Sequence, residues 1–409
     1  MHPFIVLLMT GFMTALAIER WNLHKRVALA ILMRARGGPR GLIGGMMCAT
    51  ALCSMWISNT ATTLMMLPIA LALVARAEAN AGVDKDGIKA FGVALFLGIA
   101  YSASIGGLGT PIGSPPNLFF LSTYNETFSA TRPPVTFGSW MAMGVPLVIV
   151  LLPLVWWLLT RILNRVPDSI GLQAGELLRE EHRALGPMSR EEKTVGAVFL
   201  LMAIAWITRR IRLEDAVVGW APALGLDQLV DDSTVAVVGA LLLFALPSST
   251  PNVRMLDWDT AKKIPWEVVV LFGGGLALAG AFKTSGLSAQ IAQGLSGLQG
   301  LPTLVLIGSI ALAVTFLTEV TSNTATATIL LPVLAAFAVA TKLAPELVMV
   351  PAVLSASCAF MLPVATAPNA IVYGSGKVSM SDMSRGGLIL NLVAAATITL
   401  WCFISLPSQ

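Results

Sequence analysis

The pentapeptide Ser58-Asn59-Thr60-Ala61-Thr62 recurs as Ser322-Asn323-Thr324-Ala325-Thr326, and the two copies run on to Leu67-Pro68 and Leu331-Pro332. Each copy sits near the middle of an apolar stretch of roughly 35 residues. That is too long for one ordinary membrane span and suits two short helices that turn back at mid-membrane. Backbone that leaves the helix inside a bilayer must be buried in protein or line a cavity. A Ser-Asn-Thr cluster at such a turn is therefore a candidate binding site.

Composition agrees with a membrane setting. The chain of 409 residues is 56% hydrophobic and 12% charged, with a mean hydropathy of +0.79. A soluble domain of this size carries about twice that charge. The net charge of +4 is small, and no nucleic-acid partner is expected. Cys48, Cys53, Cys358 and Cys402 lie in apolar stretches without a C-x-x-C pair, so they read as small buried residues. His2, His24 and His182 are scattered, and no His/Cys/Asp/Glu cluster has metal-ligand spacing. No P-loop or G-x-S-x-G occurs, which argues against ATP-driven transport and hydrolysis. Residues 3–18 are apolar without a following cleavage site, so no cleavable signal peptide is expected.

In chain order, residues 3–18 read as a span. Residues 21–36 alternate a basic and an apolar face, as a helix lying in the membrane interface does. Residues 41–75 form the first hairpin; both ends are flanked by arginines, so it enters from the inside. A polar connector, 76–89, leads to a span over 90–121 that Gly and Pro break between Gly106 and Asn117. Residues 122–136 read as outside, 137–160 as a span, and the charged stretch 161–193 as a solvated loop. Residues 194–208 and 233–246 are plain spans. The loop between them, placed outside, carries Arg209, Arg210 and Arg212 against the positive-inside rule. Residues 247–265 lie inside and 266–282 span. Residues 302–341 form the second hairpin, entered from outside. Residues 345–373 form a span broken between Leu362 and Asn369, and 387–405 close the chain.

The predicted architecture is an all-α polytopic membrane protein with inverted-topology repeats. Residues 1–166 make the first repeat, 167–265 the cytoplasmic loop and scaffold spans, and 266–409 the second repeat. Segments of this kind in matched positions point to a transporter's binding site.

The tips have a definite chemistry. Ser, Asn and Thr cap helix starts, and a helix start presents free N–H groups and a partial positive charge to an anion. Carbonyls at the end of each first arm, with Ser and Asn oxygens, suit Na⁺. The segments 41–75, 91–121, 302–341 and 347–373 contain no Lys, Arg or His. Helix dipoles supply only about half a charge each, so an anion needs co-bound cations, which is a physical case for coupling. Their one acid, Glu319, has two equal readings: it adds charge to a cation site, or it bonds to backbone at a packed interface.

The paired motifs, together with Thr110-Pro111-Ile112-Gly113-Ser114-Pro115-Pro116-Asn117 and Leu317-Thr318-Glu319-Val320-Thr321-Ser322-Asn323-Thr324, resemble the divalent anion/sodium symporter family, the Na⁺-coupled dicarboxylate and citrate transporters. The resemblance runs over essentially the whole chain. It implies an elevator mechanism, a scaffold that forms a homodimer, residence in the cell (inner) membrane, and import of C4-type dicarboxylates such as succinate, malate and fumarate with co-transported Na⁺. It implies one Na⁺ held by Ser54, Ser58, Asn59 and the Gly113 carbonyl, and another by Thr318, Ser322, Asn323 and the Ala365 carbonyl. It implies substrate contacts from Asn59, Thr60, Ser114, Asn323, Thr324 and Thr366. The alternatives are a dicarboxylate exchanger, a citrate or sulfate carrier, or a non-transporting fragment or membrane protein of this fold. Two departures stand out. Ala367 replaces a proline that many relatives have, and family members carry a few further N-terminal spans.

Overall fold

In the computed structural model of the protein, the described residues are 2–79, 84–170, 174–213, 216–287, 290, 294, 297 and 300–406, without the side chain of Lys283. The middle of the polar connector (80–83) and residues 171–173 of the charged stretch lie outside them.

The first half runs α1 (Pro3–Arg20), α2 (Leu23–Leu32), α3 (Gly38–Ser54), α4 (Asn59–Glu78), α5 (Lys85–Gly107), α6 (Pro115–Phe128) and α7 (Phe137–Trp157), which continues as a π-helical turn over Leu158–Leu163. Between the halves stand α8 (Ala174–Ala184), α9 (Arg190–Thr208), an antiparallel ribbon of β1 (Ile211–Leu213) and β2 (Ala216–Val218), α10 (Trp220–Ala223), α11 (Asp232–Ala245) and α12 (Trp258–Ala261). The second half runs α13 (Trp266–Thr284), α14 (Thr303–Leu317), α15 (Asn323–Thr341), α16 (Glu346–Ala356), α17 (Ala367–Gly374) and α18 (Met380–Ser405). Among the described residues, six helices, α1, α4, α5, α7 with its extension, α15 and α18, are long and apolar enough to cross a membrane.

The α3–α4 and α14–α15 hairpins turn where the sequence places them. Breaks separate α5 from α6 over residues 108–114, and α16 from α17 over 357–366. Local signals fix these ends. Pro115-Pro116 open α6, where a missing N–H is harmless. Thr366 caps α17, its Oγ1 accepting from Asn369 N. Pro68 and Pro332 sit inside α4 and α15 at matched positions.

Every residue of α5 from Phe91 to Gly107 is buried, so this helix is the core. The halves interlock reciprocally around it. The helix after the first break, α6, packs on α15 of the second hairpin, and the helix after the second break, α17, packs on α4 of the first.

Three readings need correction. The first broken span does not end at residue 121, because α6 continues to Phe128. Connector 76–89 is shorter, since α4 extends to Glu78 and Asp84 caps α5. The stretch 161–193 is not simply solvated: α8 docks on α2 through Lys25–Glu181 at 2.9 Å and reaches α4 through Arg76–Glu176 at 3.1 Å. Separately, two of the three cations in the arginine-rich loop are ion-paired: Arg209 with buried Asp232 at 2.7 Å and Arg210 with Asp227 at 3.4 Å.

Candidate functional site

The two hairpin tips and the two breaks line one cavity of about 690 Å³. Ser58, Asn59 and Thr60 face it from the first tip, and Ser322, Asn323 and Thr324 from the second. Gly113 and Ser114 face it from the first break, Ala365 and Thr366 from the second. Ser54 and Thr318 do not line it. They are fully buried behind the tips, each at the end of a first arm.

Matched hydrogen bonds hold the two halves of this site. Ser54 Oγ is hydrogen-bonded to the Asn59 amide at 2.5 Å, and Thr318 Oγ1 donates to Asn323 Oδ1 at 2.7 Å. Asn117 Nδ2 donates to the carbonyls of Gly107 (2.9 Å) and Thr110 (2.8 Å). Asn369 Nδ2 donates to those of Ala359 (3.1 Å) and Leu362 (3.0 Å). In both breaks the asparagine ties the carbonyls ten and seven residues before it, so the unwound backbone keeps its partners. Gly113 comes so close to Gly107 that a Cβ on it would stand 2.7 Å from the Gly107 oxygen. Any larger residue would push the two ends of the first break apart.

The first tip gathers oxygens. One atom of the Asn59 amide stands 2.5 Å from Ser54 Oγ, 3.1 Å from the Ala103 carbonyl and 3.3 Å from the Gly113 carbonyl. With nitrogen inward the amide donates to the two carbonyls. With oxygen inward, four oxygens converge with no carbonyl-directed donor among them, and a small hard cation satisfies that arrangement.

Glu319 takes one of its two readings. Its Oε1 accepts from Phe360 N (2.7 Å), Met361 N (2.9 Å) and Asn391 Nδ2 (2.7 Å), and its Oε2 from Leu362 N (3.0 Å). It is 4% exposed and does not line the cavity. The carboxylate braces the second break.

Sequence reasoning missed the charges that other elements bring. Glu19 of α1, Lys263 and Glu267 of α13 also line the cavity. Lys263 supplies the cation absent from the hairpins and broken spans. It comes from the connector after α12, so no local pattern announced it. It also missed Trp56, the residue two before Ser58, whose ring packs edge-on against Phe199 of α9 at 5.0 Å and stacks on Phe137 of α7 at 6.2 Å.

Paired hairpins, paired breaks and a shared cavity define a multi-pass membrane transporter with inverted-topology repeats. The chain belongs to the family described as the sodium:sulfate symporter transmembrane region, which it matches over residues 1–405. It is 43% identical to the sodium-dependent dicarboxylate transporter SdcS of Staphylococcus saprophyticus, over 99% of this chain and 77% of that one. It is 41% identical, with the same coverage, to the SdcS of Staphylococcus aureus (strain bovine RF122). The fold is similar to that of Neisseria gonorrhoeae MtrF, with a TM-score of 0.64 at 16% identity over all of this chain and 82% of that one. The family is one of transporters, not enzymes.

Proposed function

We propose that this protein is a sodium-coupled symporter that imports C4-type dicarboxylates such as succinate, malate and fumarate. The names of the SdcS relatives support sodium dependence and a dicarboxylate cargo. The observation that carries the reading is the convergence of the Ser54 hydroxyl and the Ala103 and Gly113 carbonyls on the Asn59 amide at the first tip, with the Thr318–Asn323 bond at the same place in the second. One Na⁺ binds Ser54, Ser58, Asn59 and the Gly113 carbonyl. A second binds Thr318, Ser322, Asn323 and the Ala365 carbonyl. Substrate carboxylates meet Asn59, Thr60 and Ser114 from one half and Asn323, Thr324 and Thr366 from the other.

Coupling follows from charge. A dianion among partial helix charges is poorly stabilised until the cations arrive. A cation at the first tip also turns Asn59 Oδ1 toward itself, which frees Nδ2 to donate. The hairpins and broken helices move together against the remaining helices as an elevator, in a homodimer.

The test is succinate uptake into proteoliposomes with and without an inward Na⁺ gradient. Uptake is expected only with the gradient, and Asn59→Ala or Asn323→Ala is expected to lower it about tenfold or more, the loss of a hydrogen bond to a charged group. Gradient-independent uptake would remove the coupling. Full activity in either variant would remove that asparagine from the site.

A further inference from the structure

A second cavity, of about 300 Å³, lies well away from the tips. Three elements line this open cleft: the end of α2 with the turn that follows (Leu32, Met33, Arg36, Gly37), the start of α3 (Gly38, Pro39, Leu42), and α8 (Leu178, Arg179), with both arginines exposed. It is independent of the transported cargo and does not rest on the function proposed above.

Its electrostatics are one-sided. Four cations in this part of the molecule have acidic partners: Lys25 with Glu181, Arg26 with Glu192, Arg40 with Asp168, and Arg76 with Glu176. Arg36 and Arg179, the two cations lining the cavity, make no ion pair or side-chain hydrogen bond with any described residue. They approach from different elements.

The backbone adds to this. Gly37 and Gly38 have φ of +94° and +65°, a turn that side chains disfavour. A Cβ on Gly38 would stand 2.7 Å from the Asp168 oxygen. This turn delivers the start of α3, with the positive end of its dipole, to the cavity beside the two guanidiniums. Leu32, Met33, Leu42 and Leu178 supply an apolar wall.

We propose that this cavity binds a phosphate-ester anion, gripped by Arg36 and Arg179 against the start of α3. A guanidinium matches phosphate oxygens with two parallel donors, and two from different elements can close on one group. The apolar wall and the amphipathic α2 favour the headgroup of an anionic phospholipid, its glycerol against Leu32 and Met33. A soluble phosphate ester shares the chemistry. Because α3 leads directly to Ser54 and the first tip, an occupant here ties the base of the inner hairpin to α2 and α8.

The experiment measures the thermal midpoint of the purified full chain in detergent with added phosphatidylglycerol, phosphatidylcholine or glycerol 3-phosphate. Phosphatidylglycerol is expected to raise the midpoint by about 3 °C. Arg36→Gln and Arg179→Gln should each remove at least half of that shift, and Arg183→Gln, also on α8, should keep it. If a Gln variant does not purify, Arg36→Lys or Arg179→Lys, which keeps the charge without the fork, is expected to show a reduced shift. The same Arg-dependent shift with glycerol 3-phosphate supports the site and assigns it a soluble ligand. No shift with either anion, an equal shift with phosphatidylcholine, or an equal shift in wild type and arginine variants would overturn the proposal.

Discussion

The two hairpin tips carry the same Ser-Asn-Thr chemistry on different supports. Trp56 at the first tip packs against Phe137 and Phe199, and its neighbours Met55 and Ile57 are buried. The residue at the same place in the second tip is Val320, which is 71% exposed. The residue before it, Glu319, corresponds to Met55. In the first half, Thr110 Oγ1 donates to the Met55 carbonyl and in turn accepts from Gly113 N, so a hydroxyl holds a short break. In the second half a carboxylate gathers three consecutive backbone N–H groups across a longer one. The Ser-Asn-Thr residues that face the cavity are repeated, while the residues at positions 55–56 and 319–320 that anchor the tips are not. The first tip is secured by aromatic packing against other helices, and the second by a charge buried beneath it.

That difference is most sharply broken at Glu319. Glu319→Ala strands three backbone donors and the Asn391 amide in a buried place, and is expected to cost about 3–5 kcal/mol, enough to lose most of the folded protein. Expression and thermal unfolding in detergent check this. A variant that unfolds normally would show that the break does not depend on its carboxylate. Met55→Ala, at the matching position, should cost less, about 2 kcal/mol, because it removes apolar volume and strands no polar group.

The matched part of the comparison is tested at Asn117 and Asn369. Each bridges two carbonyls, so Asn117→Ala and Asn369→Ala should destabilise by similar amounts, about 2 kcal/mol each. A large inequality between them in denaturant or thermal melts would show that the two breaks do not share one brace. Trp56→Val, which gives the first tip the second tip's residue, should cost about 2 kcal/mol through lost aromatic packing. Val320→Ala should change stability by less than about 0.5 kcal/mol.

Much of this was legible in the sequence because it was written twice. Local signals located the hairpins, the breaks, Asn59, Asn323 and the Pro-Asn pairs that end each break. A Ser-Asn-Thr between apolar arms has few stable placements in a bilayer, and a Gly-Pro cluster inside a span has only one use. What stayed hidden depended on contacts distant in sequence. The Arg209–Asp232 pair could not be seen from a loop count of positive charge, nor the docking of α8 from a charge run. Glu319 kept two readings because its partners, Phe360 to Leu362 and Asn391, lie 41 to 72 residues away. Trp56 was passed over because one aromatic in an apolar stretch carries no pattern of its own.

Lys263 separates the two sources of positive charge in the cavity. The tips offer helix starts, whose partial charges belong to the backbone and cannot be removed by substitution. Lys263 offers a full charge on a flexible stem, and it is the only Lys, Arg or His among the described cavity-lining residues. Glu19 and Glu267 share the cavity with it, so its field is partly offset. A dianion that reaches the site past this lysine should gain under about 1 kcal/mol from it. Lys263→Gln is therefore expected to raise the half-saturating succinate concentration about threefold to fivefold, to leave the maximal rate and the Na⁺ dependence unchanged, and to weaken the salt dependence of uptake. Loss of maximal rate instead would place Lys263 against the bound carboxylates and reduce the share of the binding carried by the helix starts.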